Sequence, residues 1–376
     1  MVRFSGAKSR AQIKARCKAT ALPVLGAALV WALVAATIGG TPRAQARVAA
    51  VASAATPALG SLKACKAFGG LPPSGEADDQ VNVPAGTFVM GSDSDYPEEA
   101  PARAVKVGAF LIDRYDVTNA QFARFVAATG YRTLAERGLD SARYPDVPKA
   151  MTRPGSTVFL PPKDLLVGAM QWWHYIPGAD WRHPDGPDSS IDGLANHPVV
   201  HIAYEDALAY ARWLGRDLPS EAEYEYAAHG GKNAVYPWGD TFTLRSKLMA
   251  NTWQGAFPFQ NTDKDGFVST SPVGCFPANG YGLYDMVGNV WQWVKDPWQQ
   301  THAQKAAEPP PAPAVDLEDA LVARARGTQF GTIKGGSFLC SPVYCKRYRP
   351  SARHAQDLTM GTNHIGFRTV LRLPAS

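Results

Sequence analysis

The sequence predicts one α+β domain, rich in loops and poor in regular secondary structure. Composition is the first reason: 34 glycines, 30 prolines and 10 tryptophans in 376 residues suit a core reached by short elements and many turns. The second is that helix signals and strand signals alternate in short pieces. The third is that no period of about 20–50 residues recurs, which excludes a solenoid or propeller. Charged residues are 19% and hydrophobic residues 45% of the chain, so a large core is available.

The N-terminus reads as targeting sequence. Arg3, Lys8, Arg10, Lys14, Arg16 and Lys18 precede an apolar run from Ala19 to about Ile38, and Ala44-Gln45-Ala46 fits a small-residue cleavage site. Residues 1–46 are therefore a signal peptide or a signal anchor, the run being just long enough to span a bilayer; a mis-assigned start codon is the third reading. Export, periplasmic or secreted, is the expectation, with membrane attachment only if this segment is retained. The net charge of +5 comes from this segment, and no basic stripe elsewhere suggests nucleic acid. Residues 47–79 are rich in Ala, Pro and Gly and read as a flexible linker.

The folded body, residues 80–376, opens with Val83–Gly91, where Phe88 and Met90 alternate as in a half-buried strand. Val105–Leu111 reads as its partner. Thr118 with Gln121 forms a capping box that opens a helix closed by Gly130, with Phe122, Phe125 and Val126 as its apolar stripe. A second helix spans about Glu205–Leu214 and stops at Gly215. A third opens at Ser220 with Glu223 reciprocating. Tyr284–Trp293 reads as a core strand entered through a Gly288-Asn289 turn. Residues 299–328 form an insertion with a Pro309-Pro310-Pro311 run, and Ile365–Leu371 a closing strand.

Three constellations bear on chemistry. His197 and His201 have metal-ligand spacing, but Pro198 breaks any helix that would align them, so both read as structural. Asp263-Lys264-Asp265-Gly266-Phe267 begins like a calcium loop but lacks the late Glu; it is a bare turn, or with Asn251 a hard-cation site. The third is Gly335-Gly336-Ser337 followed by Cys340 and Cys345. An offset of five residues separates two side chains by about 140° on a helix and puts them on opposite faces of a strand. The two sulfurs converge only if the chain turns, and Ser341-Pro342 supplies turn chemistry. Convergent thiols make a disulfide or a soft-metal site. Cys65 and Cys275 have no evident role.

Taken together these pieces resemble the formylglycine-generating enzymes, or sulfatase-modifying factors. The resemblance runs through Pro84–Gly91, Glu99–Arg103, Trp181–Pro184, His197–His201, Leu218–Glu223, Tyr236–Gly239, Asn251–Gly255, Asp265–Phe267, Gly280–Tyr284, Gly288–Trp291, Gly335–Arg349 and Gly366–Arg368. The Cys-x4-Cys behind Gly-Gly-Ser is its most specific part, since short pieces such as Gly-Asn-Val-Trp occur across the wider superfamily.

That resemblance implies a C-type-lectin-like fold. It implies oxidation of a cysteine, within a Cys-x-Pro-x-Arg motif of an unfolded sulfatase, to Cα-formylglycine, with O2 and a thiol reductant. It implies Cu(I) on Cys340 and Cys345, a substrate thiolate as third sulfur ligand, and Ser337 lining the oxygen pocket. Two Ca2+ sites are implied: one from Asn251, Thr252, Asp265 and Phe267, the other from Asp285, Gly288, Val290 and Gln292. The chain departs from the family where Gln292 replaces the usual Glu, where Pro350 replaces a third cysteine of vertebrate relatives, and at Cys275, which has no counterpart. The resemblance therefore leaves the structural bridges of those relatives unexpected here. The alternatives are another exported oxidoreductase of the superfamily and a non-catalytic lectin-like binding module, against which the cysteine pair argues.

Overall fold

Strand β1 (Gln80–Val83) and the hairpin of β2 (Gly86–Met90) with β3 (Arg103–Val107) open the described chain. The structure, a computed structural model, describes residues 80–142, 149–162, 172–303 and 330–373. The expected signal and linker, and most of the expected insertion, lie outside those residues. Among the described residues no helix is long and apolar enough to cross a membrane. All belong to a compact unit assigned to Ser53–Ser376.

The expected partner strand of β2 divides in two. β3 pairs with β2, whereas β4 (Phe110–Asp113) leaves for another sheet, between β1 and β13 (Val370–Arg372). The physical reason is burial: Phe110 and Ile112 both face the core, at 1% and 0% exposure, on a sheet that the exposed β2–β3 hairpin does not join.

The helices begin and end where capping chemistry puts them. Thr118 and Gln121 exchange hydrogen bonds to open α1 (Asn119–Thr129), and Gly130 closes it in the left-handed region. Thr133 and Glu136 repeat the box for the short α2 (Leu134–Arg137). α3 spans Tyr204–Trp213, and Ser220 with Glu223 opens α4 (Glu221–His229), which ends at left-handed Gly230. Each such cap is worth about 1 kcal/mol. α1 and α3 pack their aromatic faces together: Phe122 meets Trp181 edge-on at 5.3 Å and stacks with Tyr210 at 5.9 Å.

Two further hairpins, β5 (Gly155–Phe159) with β6 (Trp173–Pro177) and β7 (Thr243–Leu244) with β8 (Lys247–Leu248), lie in the loop-rich middle. The central sheet has the order β11-β10-β9-β12, formed by Arg353–Asp357, Phe330–Lys334, Trp291–Pro297 and Ile365–Gly366. β12 runs parallel to β9; the other pairs are antiparallel. The expected closing strand Ile365–Leu371 is thus two short strands in two sheets. Arg368 turns inward between them, fully buried, and donates to Gln292 Oε1 at 2.6 Å and Asp116 Oδ1 at 3.0 Å.

This topology positions the Gly335–Arg349 stretch. It is the connection that leaves the C-terminal end of β10 and returns into β11. β9 starts beside it, directly after the turn at Gly288 and Asn289, both at positive φ.

Candidate active site

Gly335 and Gly336 take φ of 92° and 73°. A Cβ on Gly335 would fall 2.5 Å from the Tyr224 hydroxyl, and one on Gly336 2.7 Å from the Arg347 carbonyl. Only glycine fits both the angles and the space. The chain can therefore fold back at once and bring Ser337 under Cys340. The Cys340 N–H donates to the Ser337 carbonyl at 2.9 Å, and Ser337 Oγ accepts from the Leu339 N–H at 3.2 Å. The Ser341 carbonyl then accepts from the N–H groups of both Tyr344 and Cys345, at 3.2 and 3.0 Å. This is the turn that the spacing demanded.

Its result is a Cys340–Cys345 sulfur separation of 2.8 Å, with both residues free rather than bridged. Cys340 is buried in the main core and Cys345 is partly buried against it. Burial pushes the Cys340 thiol up. The Cys345 thiol is pulled down, chiefly by the hydrogen bond from Cys340, with the Arg347 cation acting in the same direction against burial. One sulfur thus keeps its proton and lends it to the other, which sits nearest to solvent.

Around Cys345 stands an aromatic wall that the sequence did not mark. Tyr344 stacks on Phe257 at 4.4 Å and meets Trp172 edge-on at 5.6 Å. Phe257 in turn packs on Trp253 and Phe159. Val343 and Tyr344 are 80% and 48% exposed, so the rim beside Cys345 is largely apolar. These aromatics come from segments 80 or more residues apart, which no local pattern could have gathered.

The first expected calcium group lies directly behind this site. The Trp253 N–H donates to the Cys340 carbonyl at 2.9 Å, and the Asn289 N–H to the Asn251 carbonyl at 2.9 Å. Asn251 Oδ1 is buried without a partner. Asp265 Oδ2 accepts from the Thr252 N–H at 3.0 Å and from Gln254 Nε2 at 3.0 Å, and the Gln254 amide also touches the Thr252 carbonyl. Burial raises the Asp265 carboxyl, so an ionised Asp265 is left short of positive charge. An orphaned amide oxygen, a carboxylate with no cationic partner and a carbonyl are donor types that fit a hard cation. Among the described residues no cluster of three His, Cys, Asp or Glu side chains could hold a metal, which leaves such mixed oxygen sets.

The second set is brought together less favourably. Asp285, at φ 52°, accepts from the Gly274 N–H at 2.6 Å, and burial pushes its carboxyl up to about 6. Gln292 spends its oxygen on Arg368 and donates through Nε2 to the Asp285 carbonyl at 2.9 Å. Its amide oxygen faces a guanidinium, so it is no donor to a metal in this arrangement.

His197 and His201, expected to be structural, each hold one hydrogen bond within the fold. His197 bonds Thr270 Oγ1 at 2.9 Å, and His201 the Pro184 carbonyl at 2.7 Å. Cys275, which the sequence left without a role, is in a disulfide. The chain thus has a covalent bridge that the family resemblance did not lead one to expect.

The geometry agrees with what comparison finds. Residues 68–373 match the sulfatase-modifying factor enzyme 1-like domain. The formylglycine-generating enzyme of Mycobacterium tuberculosis is 54% identical over 293 residues, 77% of this chain and 96% of that one. The formylglycine-generating enzyme of Thermomonospora curvata is 46% identical over 298 residues, 78% and 93% of the two chains. Among solved structures, PvdO from Pseudomonas aeruginosa aligns with a TM-score of 0.53 at 25% identity, over 78% of this chain and 94% of that one. With its α+β fold and its paired sulfurs behind Gly335-Gly336-Ser337, the chain belongs to the sulfatase-modifying factor enzyme family.

Proposed function

We propose that this protein activates sulfatases by converting a cysteine in their unfolded chains to Cα-formylglycine, within a Cys-x-Pro-x-Arg motif. The observation that carries the reading is the free Cys340–Cys345 pair, one sulfur buried and one at an apolar rim. A non-catalytic binding module would have no use for it. The two relatives described above carry the name of this activity.

In this reading Cys340 and Cys345 hold Cu(I), a soft ion suited to two thiolates with room for a third, and when bound it supplies the one-electron chemistry with O2. The chain's own residues do the rest. Cys340, walled in by core, keeps water from one side of the pair. Cys345 meets the incoming substrate thiol. Val343, Tyr344, Trp172 and Phe257 offer an apolar lip for an extended segment, and Ser337 lies under the pair. Overall, the substrate CH2–SH and O2, with two electrons and two protons from a thiol reductant, become an aldehyde, hydrogen sulfide and water.

Calcium at Asn251, Thr252, Asp265 and Phe267 would brace the loop that bonds the Cys340 carbonyl. The second set, with Asp285, Gly288, Val290 and Gln292, would hold its ion more weakly, because Gln292 must first turn from Arg368. The protein would act outside the cytosol. Its disulfide at Cys275 supports that location, since such bridges persist in oxidising compartments.

The test is incubation of a Cys-x-Pro-x-Arg peptide with the protein, Cu(I), O2 and a thiol, read by mass spectrometry with aldehyde trapping. Aldehyde that requires all four components is the expected result. An unmodified peptide, with the metal bound, would sink the reading.

A further inference from the structure

A cation at Asn251, Thr252, Asp265 and Phe267 requires the Asn251 amide to present its oxygen, and nothing in Asn251 itself decides between oxygen and nitrogen. Its neighbours decide. Asn289, fully buried and at φ 58°, bonds Ser271 through both ends of its own amide. Its Oδ1 accepts from the Ser271 N–H at 2.9 Å, and its Nδ2 donates to the Ser271 carbonyl at 3.2 Å. A backbone N–H only donates and a carbonyl only accepts, so the Asn289 amide has one orientation. The Asn251 amide meets that fixed Oδ1 at 3.3 Å and the Ser269 carbonyl at 2.8 Å. Two acceptors demand an NH2 between them. The Asn251 nitrogen is therefore held on that side, and its oxygen is turned away from Asn289, buried and without a partner.

The same residue reaches the sulfur turn through its backbone. The Asn289 N–H donates to the Asn251 carbonyl, and the Asn289 carbonyl accepts from the Phe338 N–H, both at 2.9 Å. Phe338 stands two residues before Cys340, and the Trp253 N–H returns to the Cys340 carbonyl at 2.9 Å. These backbone bonds and the positive φ ask for no side chain, and glycine would meet them. What the buried amide adds is the orientation of Asn251.

We infer that Asn289 is a positioning residue: it turns the Asn251 amide oxygen toward a bound Ca2+ and passes the bracing of that ion to Phe338 and Cys340. The inference rests on reading the Asn251 set as a cation site, and not on the sulfatase chemistry. A flip of the Asn251 amide would set its oxygen against the Asn289 oxygen and the Ser269 carbonyl, so the donor stays aimed for the ion. This is the work of a residue that orients a metal ligand without touching the metal.

The experiment is calorimetric titration of the full chain, stripped with a chelator, with Ca2+ alone. Asn289→Gly keeps the backbone angle and both backbone bonds and removes the amide. It is expected to weaken the tighter binding event about 10–100-fold, the usual cost of losing such a residue. On an Asn251→Ala background the same change should alter affinity by less than about twofold, because Asn289 acts through Asn251. A residue that only filled the core would lower Tm with and without Ca2+ and leave Kd alone. An unchanged Kd in Asn289→Gly therefore overturns the proposal, as does an effect that persists in full on the Asn251→Ala background. Hydrogen exchange of the wild type gives a readout that needs no variant. Ca2+ is expected to slow the Phe338 amide about tenfold, and an amide that is not slowed overturns the proposal even if Asn289→Gly does not fold. A wild type that binds no Ca2+ overturns it as well, while aldehyde formation on the sulfatase peptide stands or falls by its own assay.

Discussion

At the scale of single residues, the proposed reaction would depend on two sulfurs that are not equivalent. Replacing Cys340 or Cys345 by Ser changes little volume, so the fold should survive at a cost of about 1–2 kcal/mol. Loss of a metal ligand should cost more than the roughly 10–100-fold seen for outer-shell partners. Both variants are therefore expected to lose over about 100-fold in kcat/KM while keeping a cooperative melt; turnover near the wild type in either would remove the two-sulfur site. His364 offers a separate check on the core. It is buried, and burial lowers it to about 3, against about 6.5 when unfolded. A depressed folded-state value means that the unfolded chain takes up the proton first. The contribution of neutral His364 is complete above about pH 6.5 and fades as pH falls toward 3. The stability advantage of the wild type over His364→Gln should shrink by about 1.4 kcal/mol per pH unit across that range, as measured by urea unfolding. A constant difference would show that the imidazole titrates normally.

At the scale of elements, three loops make the site: the Asn251–Gln254 segment, the turn before β9, and the β10–β11 connection. They are laced by backbone hydrogen bonds rather than by a shared sheet. Calcium at the first of them should stabilise all three. Saturation at about 100 times Kd adds about 2.7 kcal/mol, or roughly 4 °C in Tm for a domain of this size. Graded chelation should release a weakly held ion before a tight one, and Gln292→Glu should delay that first release by restoring a carboxylate at Asp285. Native mass spectrometry counts the ions; simultaneous loss of both in wild type and variant alike would contradict the ranking. Much of this scale was legible beforehand. Capping boxes at Thr118 and Ser220 and the glycines that follow α1 and α3 mark their helices because the chemistry is local. The Gly335–Cys345 turn was legible for the same reason. The split of Ile365–Leu371 was not, because it depends on Arg368 reaching Asp116 and Gln292 across the fold. The aromatic wall was hidden likewise: its members are distant in sequence, and only packing makes them neighbours.

At the scale of the whole molecule, the position of Cys345 limits what can be a client. In the proposed reaction a third sulfur would arrive between the apolar lip and the pair, so it would have to come on an extended, accessible segment. A denatured sulfatase should be converted, and the same protein folded and unmodified should not; equal conversion would dismiss the extended-segment argument. Fractionation of the intact protein with a fused reporter tests its export, and a wholly cytosolic body would refute it. The contacts that close the sulfur site also join the two ends of the domain. Arg349 reaches Glu99 across 250 residues, and Arg353 reaches the Glu98 carbonyl across 255. β4, near the start of the domain, pairs with β13 at its finish. A chain emerging N-terminus first from a ribosome or a translocation pore therefore has no assembled sulfur site until almost all of it is out. Stalled or clipped products should be chemically silent, and the enzyme begins its work only as a finished chain.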